Sequence, residues 1–285
     1  MSKQYFVADI HGMCGGVFAA LKQLQQTIDA NCGRTVYVLH ELVHNTTVTR
    51  NFQKQNVCFA DEPSDIPPGS ITIIGAHGIS LAQHRLLESQ SSQLIDATCP
   101  LVRKLQNIAA SLTADDQLII FGKTGHPEVI GVAGHSNAGA NFIVSNAADI
   151  ESLPELNQPS FISQTTVDAV KSREAMRLLK QRFPQMRCFD GVCNASIERQ
   201  QAVIDLAGKC DLVLVAGSAH SSNACRLREI AENAGVKAVR IDNASELPEA
   251  ELQSISRVGI TSGASTPAEV TEKIISRLEE LGFSS

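Results

Sequence analysis

The chain has 285 residues, an ordinary hydrophobic content, no Trp and a formal net charge of −6. Its length alone supports about two domains, and its acidic balance supplies no basic field for a nucleic-acid backbone. DNA and RNA are therefore excluded as expected partners, while a small anion held by local groups is not.

The start, MSKQYFVADIHG, lacks the basic segment and apolar run of a signal peptide. No apolar run approaches the ~20 residues of a membrane helix. The sequence therefore predicts a cytoplasmic protein, away from membranes, with reduced thiols. Eight cysteines in such a chain do not read as a disulfide framework. Each one alone reads as a small buried hydrophobe unless its context marks it as a ligand or catalytic group.

In chain order, β-rich runs alternate with amphipathic helical ones. YFVADI reads as a strand and VFAALKQLQQTID as a helix; TVYVLHELV and SITIIGA read as strands. In LIDATCPLVRKL a strand gives way to the helix LVRKLQNIAASL, with Cys99 at the joint. Proline suits the first helical position, so Pro100 makes Cys99 the N-cap, where the helix dipole favours a thiolate. QLIIFG and SFIS follow as strands, then the helices VDAVKSREAMRLLKQRF and ASIERQQAVIDLAGK. The strand LVLVAG, the helix NACRLREIAENAG, the strand VGIT and the helix PAEVTEKIISRLEELG complete the chain. The pattern predicts an α/β protein with parallel sheets covered by helices.

A longer period runs through these elements. Cys14, Cys99 and Cys193, 85 and 94 residues apart, each close a strand and open a helix. A second strand then ends in a polar cluster: ELVHN with His44, KTGHPE with His126 and Glu128, AGSAHSSN with Ser221, Ser222 and Asn223. His44, His126 and Ser221 follow their cysteines by 30, 27 and 28 residues. A third strand ends in another cluster: GAHGIS with His77, SQTTVD with Thr165 and Thr166, ITSGAS with Ser265. Ligands gather at the carboxyl ends of strands in parallel sheets. The repeat therefore predicts three small α/β domains in a pseudo-threefold arrangement about one centre. Their expected spans are 14–98, 99–190 and 191–285, the last completed by the N-terminal strand within 1–13.

Three converging thiolates suit an iron–sulfur cluster, usually held by four, and leave one iron open to substrate. Imidazoles, hydroxyls and an amide beside helix N-termini suit a phosphate or diphosphate. SSN before CRLREI and STP before AEVTEKI also read as N-caps, which use the same backbone groups. Glu128 is placed to relay protons. Cys32, Cys58, Cys188, Cys210 and Cys225 read as structural; Cys188 and Cys193 form a C-x4-C pair without the second pair a zinc site needs. His40, His84, His135 and His220 read as surface or structural groups. FGKT at 121–124 lacks the first glycine of a phosphate-binding P-loop, where Gln117 stands instead.

These residues carry a resemblance. GMCGGV, HELVHN, AHGIS, DATCPLV, GHPEV, SQTTV, ERQQAV, GSAHSSNACRL and TSGAS, in this order from about Val7 to about Leu281, resemble the 4-hydroxy-3-methylbut-2-enyl diphosphate reductase family. That resemblance implies three domains around a central [4Fe–4S] cluster bound by Cys14, Cys99 and Cys193, with an open apical iron. It implies that His44, His77, His126, Ser221, Ser222, Asn223 and Ser265 hold the diphosphate, and that Glu128 supplies protons with Thr165 and His126. It further implies two-electron reductive dehydroxylation, with a ferredoxin, flavodoxin or similar donor, in a monomer or dimer. Ile10 and His11 stand where the family usually has Pro-Arg, and 194–198 also departs from its pattern; both changes flank cluster ligands. The alternatives are a cluster-dependent paralogue acting on another phosphorylated alcohol, or a non-catalytic cluster- or diphosphate-binding sensor.

Overall fold

The computed structural model describes residues 3–285. β1 (Lys3–Val7) leads to α1 (Gly15–Ala30). Then come β2 (Val36–Leu39), α2 (Thr46–Gln53), β3 (Val57–Ala60), β4 (Ile71–Ile74), α3 (Leu81–Gln90) and β5 (Gln93–Asp96). The next stretch holds α4 (Pro100–Ala110), β6 (Gln117–Phe121), α5 (Pro127–His135), β7 (Ala140–Val144), α6 (Ala147–Glu151), β8 (Pro159–Ser163), α7 (Ala169–Arg182) and β9 (Arg187–Phe189). The last holds α8 (Asn194–Ala207), β10 (Leu212–Ala216), α9 (Ser222–Asn233), β11 (Lys237–Ile241), α10 (Glu249–Leu252), β12 (Arg257–Ser262), α11 (Ala268–Glu280) and β13 (Phe283–Ser284).

These strands form three parallel sheets, as the alternating pattern predicts. Their orders are β3-β2-β4-β5, β7-β6-β8-β9 and β11-β10-β12-β1-β13. One plan is repeated three times. In the third sheet, the N-terminal strand β1 takes the place that β5 and β9 hold in the other two. One compact unit draws on the N-terminal segment up to Val17, on His44–Asn51 and on Asn194–Ser285; the other comprises Phe18–Val43 and Phe52–Cys193. The first unit carries the β1/β10–β13 sheet, and the second carries the other two.

The central strands are apolar on both faces, as strands covered by helices on both sides must be. In β10, Val213 and Val215 pack with Val203, Leu206 and Leu227 of α8 and α9. Leu212, Leu214 and Ala216 point the other way, onto Val270, Ile274 and Leu278 of α11. β6 divides its side chains similarly: Ile119 and Phe121 meet Leu179 of α7, while Leu118 and Ile120 meet Leu105 of α4 and Val129 of α5. Fully burying one such side chain contributes ~1.5–3 kcal/mol.

Local chemistry ends the elements. β2 stops at Leu39, well short of the end that TVYVLHELV predicts, because His40 turns the chain with φ 60°. α3 opens on a capping box: the Gln83 amide donates to Ser80 Oγ (3.3 Å) and the Ser80 amide donates to Gln83 Oε1 (3.1 Å). Among the described residues, no helix is long and apolar enough to cross a membrane.

Candidate active site

The second unit contains Cys99, Cys193, His77, His126, Glu128 and Thr165. Cys99 is the N-cap of α4, with Pro100 in the first turn, as the sequence predicts; its side chain makes no capping hydrogen bond. Its amide donates to Ala76 O, two residues past β4, at 3.0 Å. Cys193 immediately precedes α8, and its amide donates to Thr165 O, two residues past β8, also at 3.0 Å.

His126 caps α5. Its Nδ1 accepts from the Glu128 amide at 3.1 Å, so in the neutral ring Nε2 carries the proton and remains a donor. The His77 and His126 rings meet edge to face, with centroids 5.5 Å apart. Gly78, just after His77, has φ +69°, and a Cβ there would lie 2.4 Å from Gln106 Nε2. That amide in turn donates to Ile79 O at 3.3 Å. Gln106 of α4 thus braces the loop that carries His77.

Glu128 is 1% exposed. Its Oε1 accepts from the Thr165 amide at 2.6 Å, and its Oε2 lies 2.9 Å from Thr165 Oγ1. Burial pushes the carboxyl up to about 7, against the opposing pull of the two Thr165 bonds. Burial thus favours the protonated form, the one a general acid needs. Gln164 is buried beside Thr165; its Oε1 accepts from the Lys123 amide at 3.0 Å and its Nε2 donates to Thr166 Oγ1 at 3.0 Å. It holds the two strand-end loops together, a role the sequence reading did not assign.

The first unit contains Cys14, His44, Ser221, Ser222, Asn223 and Ser265. The Cys14 amide donates to Ala264 O, two residues past β12, at 3.0 Å. All three cysteines are thus anchored at the same point of the repeated plan. Ser265 Oγ donates to His44 O at 3.0 Å. Ser221 caps α9 by accepting from the Ala224 amide at 3.3 Å. The STP segment does not cap α11 through a hydroxyl as expected: Pro267 is the N-cap, and Thr266 Oγ1 donates to Ala216 O instead. The Pro267 ring offers no side-chain acceptor.

Asn223 is the topological counterpart of Glu128, at the same offset past its strand. Asn223 Oδ1 accepts from the Ala264 amide at 2.9 Å, as Glu128 accepts from the Thr165 amide. Asn223 Nδ2 and Ser222 Oγ are buried without a partner. Buried donors of this kind cost free energy unless a ligand takes them up.

No disulfide joins the eight cysteines. Cys210 is buried, which pushes its thiol up to about 11, and burial also raises Cys188; neither favours the thiolate. Cys32 and Cys58 are exposed. Cys14, Cys99 and Cys193 are half-buried at helix starts, a setting that fits thiolate ligation.

A family model described as LytB protein matches residues 6–279. The 4-hydroxy-3-methylbut-2-enyl diphosphate reductase of Marinobacter nauticus is 38% identical, over 98% of this chain and 90% of its own length. The reductase of the same name from Pseudomonas aeruginosa is 36% identical, over 99% and 92%. The solved structure of the E-1-hydroxy-2-methyl-but-2-enyl-4-diphosphate reductase from Plasmodium falciparum superposes with a TM-score of 0.92 at 29% identity, covering all of this chain and 92% of that one. A second reductase structure, described as the terminal enzyme of the non-mevalonate pathway, gives a TM-score of 0.68 at 28% identity, over 98% and 99%. The chain belongs to the LytB family, that of the 4-hydroxy-3-methylbut-2-enyl diphosphate reductases.

Proposed function

We propose that this chain reduces 4-hydroxy-3-methylbut-2-enyl diphosphate to isopentenyl and dimethylallyl diphosphates, with Cys14, Cys99 and Cys193 holding a [4Fe–4S] cluster. One observation carries the ligand assignment. Three half-buried cysteines recur at one topological place, each with its amide fixed to the carbonyl two residues past a central strand. When bound, such a cluster supplies a Lewis-acidic iron left open by the three-cysteine set and a path for electrons to the substrate.

The chain's own groups do the rest. His44, His77, His126, Ser221, Ser222, Asn223 and Ser265 bind the diphosphate. His126 contributes Nε2–H because its Nδ1 is occupied, and Ser222 Oγ and Asn223 Nδ2 contribute donors that no protein group uses. Protonated Glu128 donates to Thr165 Oγ1, which frees the threonine hydroxyl proton for the substrate. Overall the allylic C–O bond breaks, two electrons enter from a ferredoxin, flavodoxin or similar donor, and two protons are consumed. One proton leaves with the hydroxyl as water, and the other goes to carbon.

This reading includes a reducing, cytoplasmic compartment and three sheet-centred domains bounded near residues 98 and 190. It is tested by anaerobic turnover of the allylic diphosphate with a strong one-electron reductant. Formation of the two five-carbon diphosphates is expected. No turnover by a cluster-loaded protein that binds the diphosphate would replace the enzyme with a sensor.

A further inference from the structure

Arg199 lies in α8, whose first residue, Asn194, follows Cys193. It is 4% exposed. One guanidinium nitrogen donates to Ala195 O at 2.7 Å and another to Gly12 O at 2.8 Å. Nε is buried and has no partner. No carboxylate pairs with this side chain among the described residues. A buried permanent cation without an anion is expensive, and folded proteins normally pair one or neutralise it.

One partner of this side chain lies beside Cys14. Gly12, two residues before Cys14, takes φ +76°. Its amide donates to Ser262 Oγ at 2.7 Å and its carbonyl accepts from Arg199. The Cys14 amide is fixed by Ala264 O. Arg199 therefore ties the Cys14 loop to the helix that follows Cys193. An iron–sulfur core held by three thiolates is net anionic and gains further negative charge on reduction. A fixed cation joined to two ligand segments stabilises the reduced state most.

We propose that Arg199 is the resident countercharge of the cluster and holds its reduction potential up. The inference rests on the cluster assignment above. Its test is a potentiometric titration of anaerobically reconstituted wild type, Arg199→Gln and Arg199→Lys, followed by electron paramagnetic resonance, with iron content measured in parallel. In Arg199→Gln the cluster is expected to become harder to reduce by about tenfold or more, a fall of about 59 mV for a one-electron couple. Arg199→Lys, which keeps the charge but loses the planar fork, is expected to stay near wild type. A glutamine variant with the wild-type potential would overturn the proposal. So would a lysine variant displaced as far as the glutamine one, since a backbone tie rather than a charge would then be at work. If the glutamine variant does not fold, Arg199→Met, equally uncharged, takes its place with the same expected and overturning results. Failure of wild type to take up a cluster would instead overturn the reading on which the proposal rests.

Discussion

Replacing Glu128 by glutamine separates the acid's chemistry from its packing. The carboxamide reproduces the shape and bonding of the protonated carboxyl. Its oxygen can accept from the Thr165 amide and its NH₂ can donate to Thr165 Oγ1, the two contacts seen at 2.6 and 2.9 Å. The variant should fold and bind diphosphate but lose the transferable proton, lowering kcat by ~10²–10⁴-fold. It should also change the pH dependence of stability. Glu128 has a folded-state value of about 7 against an ordinary 4.5. The native state therefore holds the proton more tightly than the unfolded chain, and wild-type stability falls as pH rises from about 4.5 to about 7. At about 1.4 kcal/mol per pH unit, the full penalty is about 3 kcal/mol. The variant escapes it, so its advantage over wild type should widen by about 2 kcal/mol between about pH 5.5 and about pH 8.5. Anaerobic urea unfolding of both proteins at the two pH values reads this directly. Parallel stability curves would show that Glu128 does not titrate as its burial demands. Near-normal turnover would remove it from proton transfer.

Ser222→Ala deletes a buried hydroxyl that no protein group satisfies. It should leave thermal stability unchanged or slightly higher while reducing kcat/KM by about tenfold or more, the worth of one hydrogen bond to a charged ligand; unchanged kinetics would take Ser222 out of the diphosphate site. Gly78→Ala forces a side chain into the left-handed region and against Gln106. It should cost about 1–3 kcal/mol in unfolding measurements, and Gln106→Ala in the same chain should recover the steric part; an additive double mutant would show no clash. Leu214→Ala, at a fully buried point of β10, should cost about 2–5 kcal/mol without changing the KM of the folded fraction; a shift in KM would mean that this sheet adjusts the site.

The central strands were legible in the sequence because burial on both faces writes a continuous apolar run: ITII, LIIF and LVLVA. One edge strand of each sheet, β3, β7 or β11, was not legible, nor were the short edge strands β9 and β13. Their burial alternates or is broken by exposed residues, as in VCFA, ANFIV and KAVRI, and edge strands half open to solvent carry no such run. The placement of the cysteines at helix starts, and of the histidines and Glu128 past strand ends, was legible because these groups recur at one spacing. Gln106, Gln164 and Arg199 were not. Each acts through a backbone carbonyl or amide distant in sequence, as Arg199 does with Gly12, and no local pattern announces such a bond.

The central claim is that three thiols, and no others, hold the cluster. Iron and acid-labile sulfide should be measured on anaerobically purified wild type, on Cys14→Ala, Cys99→Ala and Cys193→Ala, and on Cys58→Ala as control. About four of each per chain are expected in wild type and control, with a severe loss in each of the other three. A full complement in any of those three variants, or in none of the five proteins, would contradict the account.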